Sequence, residues 1–81
     1  MTREEATRRA EEARSAHQVP VGWAVGSVER RYIEVGAGRP EEPAPVRDLL
    51  VWVVQFVEGS SWVELAVDDR TGEVVRVERS R

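Results

Sequence analysis

Residues 49–79 read LLVWVVQFVEGSSWVELAVDDRTGEVVRVER. Three runs rich in Val, Trp, Leu and Phe are separated by two turn signals, Gly59-Ser60 and Asp69-Arg70-Thr71-Gly72. β-branched and aromatic runs broken by Gly, Ser and Asp clusters mark consecutive β-hairpins. Turn length sets register. With Gly59-Ser60 at the centre of the first turn, Glu58 faces Ser61, Phe56 faces Val63, Val54 faces Leu65 and Trp52 faces Val67. A type I turn with a glycine bulge at Gly72 then places Val67 opposite Glu73, Leu65 opposite Val75 and Val63 opposite Val77. One face carries Leu50, Trp52, Val54, Phe56, Val63, Leu65, Val67, Val75 and Val77, and is expected to be the core. The other carries Val51, Val53, Val57, Trp62, Ala66 and Val74, interrupted by Gln55 and by Glu64 opposite Arg76.

Upstream, Thr2 and Glu5 form a capping-box pattern, and Ala6, Ala10, Ala13 and His17 recur at helical spacing among charged residues. This predicts a helix over 2–17 with an alanine stripe, ended by Pro20. Small side chains bury little area but let a helix lie close to a sheet. Val21, Trp23 and Val25 alternate as in a strand; beyond Gly26 the parity changes, with Val28 and Tyr32 on one face and Ile33 and Val35 on the other. A strand over about 21–35 with a bulge near Gly26 is expected, lying at the sheet edge because its second half is charged. Residues 36–48, GAGRPEEPAPVRD, hold three prolines and are expected to form a mobile loop. The remaining strands are expected at about 49–58, 62–68 and 73–79. The reading is a single α+β domain over 1–81: one N-terminal helix packed on a four-stranded antiparallel β-meander.

Eighty-one residues without cysteine make a small domain with no disulfide and no thiolate metal site. All twelve basic residues are arginine, interleaved with fifteen acidic residues to a net charge of −3, so no basic stripe points to nucleic acid. No apolar leader follows Met1 and no apolar run is long enough to span a bilayer, so a cytoplasmic chain with no membrane association is expected. His17 is the lone histidine and reads as a helix-end residue favoured by the dipole. Asp68, Asp69 and Glu73 surround a turn, where aspartates ordinarily bond nearby backbone amides, and their spacing is not that of a calcium loop. Gly36-Ala37-Gly38 precedes no helix and does not form a phosphate loop. No catalytic residue, cofactor or metal ligand is therefore assigned. A half-apolar outer face that one helix cannot cover suggests a partner surface, so Val51, Val53, Val57, Trp62, Ala66 and Val74 are candidates for binding a protein partner or a second copy.

Trp52-Val53-Val54, Trp62-Val63-Glu64 and the run Val67 to Val74 (V-D-D-R-T-G-E-V), with Glu4-Glu5-Ala6 in the helix, resemble a PepSY domain. That resemblance implies a helix against an antiparallel sheet, and a non-enzymatic inhibitor or regulator of a protease. Bacterial immunity proteins of toxin systems are similar in having an N-terminal helix and a late Asp-x-x-Thr-Gly hairpin. The cystatins share the general architecture. Gln18-Val19-Pro20-Val21-Gly22 is similar to their inhibitory segment, but its proline and its place directly after the helix carry no role over.

Overall fold

The computed structural model describes residues 1–35 and 47–80. A helix, α1 (Arg3–Ala13), precedes four strands: β1 (Ala24–Val35), β2 (Arg47–Glu58), β3 (Ser61–Asp68) and β4 (Val74–Arg79). The strands form one antiparallel sheet in the order β1-β2-β3-β4, a meander with β1 and β4 at its edges. The expected α+β architecture is the observed one. The expected loop lies outside the described residues except for Arg47 and Asp48, which belong to β2.

Thr2 caps α1, its hydroxyl accepting the Glu5 amide at 3.1 Å, and Glu4 and Glu5 place negative charge in the first turn. Ala6 and Ala10 are fully buried, and α1 lies against β2 and β3. The regular helix ends at Ala13 rather than at residue 17. The chain stays coiled through a Schellman closure: the Val19 amide donates to the Arg14 carbonyl at 2.8 Å and the Gln18 amide to the Ser15 carbonyl at 3.3 Å. Gln18 takes the left-handed conformation this closure requires, with φ 58°, at a cost of about 1 kcal/mol that glycine would not incur. Val19 is thereby driven into the core.

β1 starts three residues later than its alternation suggested. Pro20 and Trp23 close a turn (N···O 3.1 Å) that leaves Val21 88% exposed and packs Trp23 on the core. The bulge falls between Val25 and Ser27, where a β-carbon on Gly26 would lie 2.9 Å from Val57 Cγ1. Glycine is what lets β1 pass over Val57 there.

The β2–β3 register is the expected one: Glu58 with Ser61, Phe56 with Val63, Val54 with Leu65, Trp52 with Val67. The β3–β4 register is not. Asp68 and Glu73 close the loop through an N–H···O bond of 2.8 Å, with Gly72 at φ 76°, so Val67 pairs with Val74 rather than Glu73. A bulge between Ala66 and Val67 then moves Leu65 to Val77 and Val63 to Arg79. Burial explains the second shift. Unbroken alternation from an inward Val74 would also send Arg76 and Glu78 inward. One extra residue at Val75 reverses the parity, so Val74 and Val77 pack on the core and both charges face out. Val75, expected in the core, is 41% exposed, and Val74, expected on the outer face, packs on the helix side.

The main core comprises Ala10, Val19, Val28, Val54, Phe56, Val63, Leu65 and Val67, with Trp23, Trp52, Val74 and Val77 against it. Arg14 is its unanticipated member. Its guanidinium lies 4.7 Å from the Phe56 ring centroid and donates to the carbonyls of Pro20 (2.6 Å) and Trp23 (2.7 Å). It therefore joins the helix end, the β1 entry turn and the core.

Candidate partner-binding face

The sheet face away from α1 carries a second cluster. Ile33, Val51, Val53 and Ala66 are buried there, with Val35 and Leu49 packed against them. Strand parity puts them together, because Ile33 pairs with Leu49, and Val53 with Ala66. Of the six candidate residues, five lie on this face: Val51, Val53, Val57, Trp62 and Ala66. Val74 does not, for the reason given by the β4 bulge. The apolar centre is closed rather than open. Val51 is 0%, Ala66 4% and Val53 7% exposed, so contact surface is left to half-buried Val57 and Trp62 and to the charged groups around them.

Those charges are ordered along the strands. Arg31 Nη2 lies 3.7 Å from Glu29 Oε2 on β1, and Arg76 Nε lies 3.6 Å from Glu78 Oε1 on β4. Glu64 faces Glu78 across the strands rather than Arg76, and Gln55 Nε2 donates to Glu64 Oε2 at 3.3 Å. Opposed carboxylates are unfavourable unless cations flank them, which Arg76 does here. A depression of about 50 Å³ opens between Arg31, Ile33, Val53, Glu64, Ala66, Arg76 and Glu78. Organic ligands occupy pockets of about 300–1,000 Å³, so this one suits water or a single protruding side chain. At the far end the Trp62 amide donates to Ser80 Oγ (2.8 Å) and the Ser80 amide to the Trp62 carbonyl (2.9 Å), clasping β4 to β3 and fixing the Trp62 backbone.

The turn carboxylates serve the fold. Asp68 Oδ1 accepts the amides of Arg70 (2.7 Å) and Thr71 (3.2 Å). Asp69 Oδ1 accepts the Trp52 indole N–H at 2.8 Å and lies 3.5 Å from the terminal amino group. Among the described residues no three His, Cys, Asp or Glu side chains gather as a metal site would require. His17 lines a separate open groove on the helix side, with Arg9, Glu12 and Glu73. Among the described residues no helix is long and apolar enough to cross a membrane.

The Asp69 carboxyl is held below its ordinary 3.8, chiefly by the Trp52 hydrogen bond, with the amino terminus and Arg30 acting the same way against burial. A depressed folded-state value means that the group stabilises the fold above its unfolded value and ceases to as pH falls through the folded one. The wild type is therefore expected to have a higher urea midpoint than Asp69→Asn near neutrality. That advantage should shrink as pH drops below about 4. An advantage constant with pH would show that the carboxylate charge contributes nothing.

No protein-family model, curated protein or solved structure matches the chain.

Proposed function

We propose that the chain is a non-enzymatic protein-binding module, an inhibitor or regulator of a protease as the PepSY resemblance implies. The observation that carries this reading is the outer face itself. An apolar floor on the side of the sheet away from α1 is ringed by charges of both signs and bounded by a half-buried tryptophan on a fixed backbone. Protein interfaces favour that combination, with an aromatic anchor supplying affinity and a charged surround supplying specificity. The depression is the wrong size for a small organic substrate, which favours a macromolecular partner.

The test is inhibition of a thermolysin-type metalloprotease by the purified chain. Inhibition is expected, and Trp62→Ala should weaken it about tenfold or more. Glu4→Ala, on the exposed surface of α1, should leave it unchanged. Absence of inhibition would remove the protease reading, and equal potency of Trp62→Ala would remove this face.

A further inference from the structure

β1 is an edge strand, and its outward backbone can be assigned. The Asp69 amide donates to the Leu50 carbonyl, so even-numbered residues of β2 point their backbone groups at β3 and odd-numbered ones at β1. Glu29, Arg31 and Ile33, paired with Val53, Val51 and Leu49, therefore bond inward. Val28, Arg30, Tyr32 and Glu34 point their amides and carbonyls away from the sheet. The Val28 carbonyl supplies an independent check, since it accepts from Arg3 Nη2. Among the described residues nothing bonds the outward backbone of Arg30, Tyr32 or Glu34. This stretch is unbulged, running in continuous register with β2 from Val28 to Val35. Tyr32 at its centre is 68% exposed.

We infer that a second copy of this chain pairs with β1, antiparallel about a two-fold axis at Tyr32, making one continuous sheet from two four-stranded ones. Charge selects the occupant and the register. Centring on Tyr32 sets Arg30 opposite Glu34 of the second copy, and Glu34 opposite its Arg30. Centring on Glu29, Arg30 or Arg31 would set like charges against each other at the axis. Centring on Ile33 would lose both ion pairs. The chosen register alone matches opposite charges twice and opposes none, and its hydrogen-bonded pairs use the outward residues. It puts the two exposed Tyr32 rings side by side. It also brings Ile33 and Val35 of the outer cluster against the aliphatic stems of Arg31 and Glu29 from the second copy. The bulge at Val25–Ser27 and the Arg3 contact on the Val28 carbonyl bound the pairing segment at one end, leaving Glu29–Val35 as the usable edge.

Sedimentation of the wild-type chain at high micromolar concentration is expected to give a dimer. Arg30→Glu and Glu34→Arg should each weaken self-association about tenfold or more, because each variant opposes like charges twice. Mixed in equal amounts the two should form a heterodimer. One copy then carries carboxylates at both positions and the other guanidiniums at both, so each cross-strand pair again joins opposite charges. That rescue also shows both variants to be folded. A monomeric wild type, or a dimer undiminished in both variants, overturns the proposal, and a mixture that stays monomeric does so as well. Trp62 lies on β3, away from β1, so the protease experiment and this one fail independently.

Discussion

Phe56→Ala is expected to lower the urea midpoint sharply, because it removes a large share of the stability of a domain this small. Phe56 is fully buried and is the largest side chain enclosed in the core. Removing a buried phenylalanine costs about 3–5 kcal/mol through lost transfer energy and the cavity left behind. A domain of this size has about 4–12 kcal/mol in all. The site has little means of collapse. Val54, Val63, Leu65 and Val67 around it are strand residues held by ladder hydrogen bonds, and Ala10 has only a methyl group with which to follow a retreating ring. A urea melt followed by far-ultraviolet circular dichroism is the measurement. Val75→Ala, at an exposed position on the same sheet, is the control and should change stability by no more than about 0.5 kcal/mol. A Phe56→Ala midpoint within error of wild type would show that the core is organised elsewhere.

The residues that carry the fold differed in how openly the sequence displayed them. The β2–β3 hairpin was legible because a two-residue turn admits one register, and Gly59, at φ 59°, has the backbone freedom such a turn uses. The β3–β4 hairpin was not. A loop one residue longer and a bulge one residue long each reverse the faces, and the two together restore them for Val77 while moving Val74 and Val75. Three adjacent signals, Glu73, Val74 and Val75, satisfy either reading, because both leave Arg76 and Glu78 facing out. On the outer face, parity correctly grouped Val51, Val53, Val57, Trp62 and Ala66, because alternation tells which side a residue occupies. Alternation does not tell what closes over that side. The burial of Val51, Val53 and Ala66, and the recruitment of Ile33 and Leu49, depend on contacts among distant strands. The free backbone of β1 is a consequence of hydrogen-bond phase, which no residue type reports.

Arg14 was the least legible of all, and its removal should rank next in effect. In sequence it is one of many arginines in a charged helical segment, and nothing in its spacing separates it from Arg8 or Arg9. In the fold its guanidinium stacks on Phe56 and holds two carbonyls of the turn that starts β1. A cation over an aromatic ring contributes about 0.5–2 kcal/mol, and a hydrogen bond from a charged donor about 1.5–3 kcal/mol. These are offset by burial of the charge and by an unpartnered Arg14 Nε. The net expectation is a loss of about 2–3 kcal/mol for Arg14→Ala, which at this chain length lowers the melting temperature by about 10–20 °C. Arg14→Met separates the contributions. It keeps an apolar cover over Phe56 but leaves the Pro20 and Trp23 carbonyls to water, so it should recover about half of the loss. If the two variants melt together, the stem contributes nothing, and the guanidinium's hydrogen bonds and its cation–π contact carry the whole effect. If Arg14→Ala melts with the wild type, the helix end and the β1 turn are held by Val19 and Trp23 packing alone.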